Sequence, residues 1–433
     1  MLTRLDRVKP FALQETMVPA AGLMPVSQTA IERHLLRDRR ALRNQVLAYV
    51  AWLRGPGRSE TPAVMQRRFS FLKLRFNAAL SQLDVFAEAI NQRSEHEVGV
   101  WLSGLDVAAQ DALALSERFF EPPPIVCHLH RGLGGAIRRA RTRLPGGGEN
   151  PVALIRIPRE RMIGHGIASS LVHEVGHQAA ALLELVESLR PMLHQVQQKA
   201  PAHERLAWQL WERWISEIVA DFWAIAKVGI TSTLGLIGIV SLPRPFVFRV
   251  DIEDPHPFPF IRVKLSCAIG AALYPHPQWR ELSAAWDSFY PTAGLDAPRA
   301  QLLGSLLTTM SRFVSLLLQH RPRSLRGWSL AEAVRLPDRS PERLLNYWER
   351  WRAAPQLIRQ APPTLVFAVL GRARVSGRLS PEGESRLLGR LITHWALQST
   401  LEIADLCSAQ GALLQRRTRG ENARQPELVL TAS

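Results

Sequence analysis

Two histidines four residues apart, His173 and His177, enclose a glutamate, Glu174, in the pentapeptide His-Glu-Val-Gly-His. On a helix that spacing puts both imidazoles on one face, where they can grip a single metal ion. Glu174, one residue on, comes close enough to polarise a water on that ion and take its proton. Chance gives such a pattern about 0.02 times in a chain of this length with 13 histidines, so it carries weight. The competing reading is an unrelated helix with two satisfied histidines. The apolar flanks, Ile167, Leu171, Val172 and Val175 with Ala179 to Leu183 behind them, predict that the helix is buried.

A catalytic zinc site needs a third protein ligand. Metzincins carry a Gly and a His three and six residues after the second motif histidine, where this chain has Ala180 and Leu183, so that class is excluded. Further along stand Glu217 and Asp221, four residues apart in an apolar run, and then His256-Pro257 with Arg262 five residues beyond the proline. This order resembles the gluzincin zinc metallopeptidases, and it looks closest to the CAAX prenyl protease and HtpX-like group. The resemblance covers roughly residues 152–273, under a third of the chain.

The resemblance implies a zincin-like core holding one zinc per chain on His173, His177 and Glu217. Glu174 would be the general base, passing its proton on to the leaving amine of a peptide or protein substrate. His256 would face the substrate and stabilise the oxyanion. Asp221 would accept the free N–H of a ligand histidine, and Arg262 would pair with Asp221 or brace the ligand helix. Buried carboxylates at 217 and 221 are costly without partners, and these roles supply them. A helix with a polar edge is the alternative. The chain departs from that group in lacking multiple convincing membrane spans and in the 40-residue gap from His177 to Glu217, which leaves room for a helical excursion.

The elements that must position these residues follow from periodicity. Residues 31–53 and 64–90 show helical spacing, separated by Gly55-Pro56-Gly57, and a third helix is expected over about 107–119. Pro122-Pro123-Pro124 marks a boundary. Residues 125–130 and 152–157 are short and β-prone, the second apolar except at Arg156. The second strand is either an edge along which an extended peptide could pair or an interior strand. A helix beginning near Ile167 carries the His-Glu pair, and another, expected over 201–227, carries Glu217. The fold class is therefore α+β, mainly α, with a small sheet beside the His-Glu helix. The expected divisions are 1–121 helical, 122–275 catalytic, 276–415 helical and 416–433 a disordered tail.

At 433 residues, with 46% hydrophobic and 21% charged residues, the composition is that of a folded globular protein. The net charge of +16 comes almost wholly from arginine, since only Lys9, Lys73, Lys199, Lys227 and Lys264 are lysines. The arginines are scattered without a basic run or an interleaved aromatic array, which argues against a dedicated nucleic-acid module. Three distant cysteines and a polar N-terminus without an apolar signal core point to a cytoplasmic protein. The apolar stretch 228–242 is shorter than the roughly 20 residues a span needs, so a buried core helix is favoured over membrane contact. A catalytically silent interaction protein with a basic surface, and a membrane-associated protease anchored by 228–242, are the rival functions. His165, between two glycines, reads as a loop or cap residue. His128 and His130 alternate on their strand, share one face and read as rim residues. Arg131-Gly132-Leu133-Gly134-Gly135 lacks the lysine and spacing of a phosphate loop.

Overall fold

The computed structural model describes residues 1–7, 17–132, 134–144 and 148–422, with all side chains among them except those of Leu83 and of residues 406–422. The chain is mainly helical with one three-stranded sheet. The two N-terminal helices form where their periodicity places them, α1 (Pro25–Arg54) and α2 (Pro62–Asn91). Thr61 caps α2 by accepting from Val64 N, and prolines begin both helices, where no backbone donor is lost. The third helix, α3 (His96–Leu113), starts eleven residues earlier and ends sooner than its periodicity suggests. Its first turns join the main core through Val98, Trp101 and Leu102.

The sheet comprises β1 (Ile125–His130), β2 (Ala136–Arg138) and β3 (Ala153–Pro158), in the order β1-β3-β2. Strand β3 runs parallel to β1 and antiparallel to β2, so it lies in the middle with both edges paired. Of the two readings considered for residues 152–157, an edge strand or an interior one, the interior strand is the one observed. This agrees with the apolar character of β3 on both faces, since a middle strand between two packed layers has no wet side. Its Ala153, Ile155 and Ile157 face the main core, while Leu154 packs with Val126 against Ile31 and Phe86 of α1 and α2.

Behind the sheet lie α4 (His165–Leu182), α5 (Ile215–Val228), α6 (Ile230–Val240) and α7 (Pro259–Leu273). The expected helix over 201–227 is in fact two, Arg205–Arg213 and α5, parted at Trp214, whose ring is fully buried against Trp211 and Phe258. The gap between His177 and Glu217 is filled by Leu185–Lys199 and Arg205–Arg213, packed on one another. Stretch 228–242 forms the eleven-residue α6, about 16 Å long and too short to span a bilayer. Its Ile230, Thr231, Thr233 and Leu236 are buried. Among the described residues, Ala297–Gln319 is long and apolar enough to cross a membrane, and its Leu306, Phe313 and Leu317 are buried in the core.

The largest apolar core runs unbroken across the divisions expected at 121/122 and 275/276, taking in α3, α4, α5, α8 (Pro363–Val375) and α9 (Pro381–Asn422). The tail expected from Arg416 begins as the last turns of α9, and residues 423–433 lie outside the described residues.

Helices α4 and α5, which carry the two halves of the candidate site, meet at Gly176. A Cβ there would lie 2.8 Å from both Ala220 Cα and Ala220 O and 3.0 Å from Trp223 Cβ. Alanine in a helix interior normally gains about 1 kcal/mol over glycine. Here the obstruction is buried backbone, and overpacking of that kind costs about 1–3 kcal/mol. Gly176→Ala is therefore expected to lower unfolding stability by up to about 2 kcal/mol in denaturant titration. A raised midpoint would mean the two helices are not held at this distance.

Candidate metal centre

Four of the site residues are placed in two pairs by helix periodicity. His173 and His177, one turn apart on α4, present their rings edge to face with centroids 4.9 Å apart. Glu217 comes from the first turn of α5, and Asp221 lies one turn further on the same face. Arg262 stands in the first turn of α7, and His256 in the proline-broken segment before it. One ligand atom from each of His173, His177 and Glu217 lies within 4.8 Å of the others, a group that could hold a metal ion.

Glu217 Oε2 is 3.3 Å from His173 Nε2 and 3.2 Å from His256 Nε2, while Oε1 is 3.5 Å from His177 Nε2. Although buried, Oε2 makes no well-formed hydrogen bond, an orphaned lone pair that a cation would satisfy. On its other side His173 Nδ1–H donates to Asp221 Oδ1 at 2.8 Å, which aims Nε2 at the cluster centre. Arg262 clamps Asp221 with two bonds, Nε to Oδ2 at 2.7 Å and Nη2 to Oδ1 at 2.9 Å. His256 Nδ1–H donates to Asp254 Oδ1 at 2.8 Å, so its Nε2 also points inward.

Electrostatics follow from this packing. Burial pushes the His173 imidazole down, but its contacts with the Asp221 and Glu217 carboxylates outweigh that and raise it to about 9. Burial and the neighbouring His173 charge lower His177 to about 4. Burial pushes Glu217 up, yet the His173 and His256 imidazoles hold it far below the usual carboxylate range. Asp221 is likewise pushed up by burial and pulled well below that range by Arg262 and His173. Glu174 behaves oppositely: burial raises it, and the His173 charge only partly offsets this. Contact with Glu217 raises His256. Two carboxylates are thus kept ionised while a third nearby is made more basic, the separation that acid–base chemistry requires.

Sequence reasoning missed the walls of the site. Strand β2 runs alongside Glu174, and a Cβ on Gly135, just before β2, would meet Glu174 Oε1 at 2.5 Å. A cavity of about 220 Å³ opens beyond His173 and Glu174, lined by Arg161, Ser169, Ser170, Ser232, Leu236 and Ile239. The glycines at 134 and 135 were visible in the sequence, but only as a failed phosphate loop. Arg161 sits in a one-turn 3₁₀ segment that carries no periodicity.

The first turn of α4 is pinned from far along the chain. His165 Nδ1 lies 3.4 Å from Glu384 Oε2, 219 positions away, and Arg374 Nε lies 3.3 Å from the same buried oxygen. No family model matches the chain, and no curated protein or solved structure matches it either.

Proposed function

We propose that this protein is a zinc-dependent peptidase with a gluzincin-like, zincin-type core. The observation that carries the reading is the convergence of His173, His177 and Glu217 on one point, with the buried Glu174 carboxylate beside it. Two imidazole nitrogens and one carboxylate oxygen form the three-ligand set that leaves a position open for chemistry. Zinc held there supplies Lewis-acid activation of a water.

The chain's own residues do the rest. Glu174, made more basic by burial, takes the water's proton and delivers it to the leaving amine. His256, oriented by Asp254 and carrying a raised pKa, presents Nε2–H to the oxygen that becomes negative at the scissile carbonyl. Asp221 fixes the tautomer and ring plane of His173, and Arg262 keeps Asp221 ionised and in place. Strand β2, with one edge paired to β3, offers the other to an extended substrate beside Glu174.

The test is elemental analysis of the purified full-length protein, joined to digestion of a random peptide mixture read by mass spectrometry. About one zinc per chain is expected, with cleavage that stops on chelation and returns when zinc is restored. A chain that takes up no zinc after incubation with the metal, or cleavage indifferent to chelation, would sink the reading.

A further inference from the structure

The face of the sheet turned away from the metal centre carries a second cavity, of about 430 Å³, roofed by α2. Its polar lining is His128 and His130 from β1, Arg156 from β3, Arg138 from β2 and Glu88 from α2. Two of these carry a buried nitrogen without a hydrogen bond, on the buried His128 and the half-buried Arg156. His128 is only 8% exposed, and its Nδ1 makes no hydrogen bond. Arg156 Nε is also buried without one. A metal is not the natural occupant, because among the described residues only His173, His177 and Glu217 converge closely enough to hold an ion. Two guanidiniums and two imidazoles set against one carboxylate instead favour an anion, and planar guanidiniums suit a carboxylate in particular.

The register ties this cavity to the cleft. Ala136 and Arg138 pair with Arg156 and Leu154 of β3, so their side chains share the cavity face, whereas Ile137 pairs with Ile155 on the face toward α4. A peptide added along the free edge of β2 alternates in the same way, sending every second side chain to the cavity side. We infer that the cavity is a specificity subsite for a Glu or Asp side chain of a substrate lying on β2, bound by Arg156 and Arg138 with His128 donating from beneath. The inference rests on the peptidase reading for the presence of a peptide at β2, but it assigns an acidic substrate class to a region that the catalytic residues do not touch. Burial together with the Arg156 and Arg93 charges lowers His128 to about 4, so a carboxylate beside it meets a neutral imidazole donor.

The experiment measures binding, so that it stands apart from catalysis. Acetylated, amidated heptapeptides with alanine at six positions and either Glu or Gln at the seventh, scanned through all seven places, are titrated calorimetrically into the full-length Glu174→Gln chain. At one position Glu is expected to bind about tenfold tighter than Gln, as a charge-assisted hydrogen bond to a buried partner warrants. In Arg156→Gln that ratio should fall to about one. Arg138→Gln, at an exposed position that leaves the core untouched, should lower it about threefold and keeps the test decisive if the Arg156 variant does not fold. Equal binding of Glu and Gln at every position, no binding of any peptide, or a preference that survives Arg156→Gln in a folded chain overturns the subsite. If the folded Arg156 variant cannot be had, a ratio unmoved by Arg138→Gln does the same. Zinc content and cleavage by the unaltered chain are read separately. Cleavage without a Glu preference removes the subsite alone, and a Glu preference without zinc removes the peptidase reading alone.

Discussion

Glu174→Gln is expected to lower kcat/KM for peptide hydrolysis by about three orders of magnitude while the chain keeps its zinc. The amide fills the same space beside Gly135, so the packing at that close approach is preserved. What it lacks is a lone pair basic enough to take a proton. Nor should the variant be weaker as a fold in the metal-free chain. A carboxyl whose folded pKa is raised, as burial raises that of Glu174, costs stability once the pH exceeds its unfolded value, and the cost vanishes at lower pH. At pH 7 replacing it with a neutral group relieves that cost, so the thermal midpoint of the metal-free variant should match or exceed that of the unaltered chain. Activity within tenfold of the unaltered protein, at full zinc content, would remove Glu174 from the role of base. A variant that had lost its zinc would instead mean that Glu174 helps hold the ion.

The second large effect is on the metal itself. Structural zinc sites with four ligands bind with roughly 10–16 kcal/mol, so one ligand corresponds to about 3 kcal/mol, or about two orders of magnitude in affinity. Glu217→Ala is expected to weaken zinc by at least that much, read by competition with a chromophoric chelator, and to abolish hydrolysis at stoichiometric metal. The variant also removes the anion that His173, His177 and His256 all face. The raised pKa of His173 then rests on Asp221 alone among the carboxylates in contact with it, so its imidazole should titrate lower in the metal-free variant, which histidine NMR can follow. Zinc affinity unchanged within threefold would exclude Glu217 from the ligand set.

Much of the site was legible because it depends on helix periodicity, which a sequence displays directly. His173 with His177, and Glu217 with Asp221, each lie one turn apart on a single helix, so spacing alone puts each pair on one face. Strand β2 was illegible for the opposite reason. Three residues, Ala136 to Arg138, are too few to show alternation, and the strand exists only because β3 pairs with it. Without β2 in view, the edge and interior readings of β3 could not be separated, although its side chains, apolar except at Arg156, already pointed to burial on both sides. The break at Trp214 was hidden likewise, since nothing in the local pattern announces that a buried indole packed on Phe258 will end one helix and start the next.

The link between His165 and Glu384 bears on when the candidate site is first complete. Chains emerge from the ribosome N-terminus first, at roughly 5–20 residues per second. The residues from His173 to Arg262 leave the exit tunnel well before Glu384 does. Until Glu384 and Arg374 arrive, the first turn of α4 lacks its anchor, and the core shared with α8 and α9 lacks one wall. The helix that carries His173 and His177 therefore gains its anchor and its last wall only when the C-terminal third of the chain has been made, long after the candidate site's own residues.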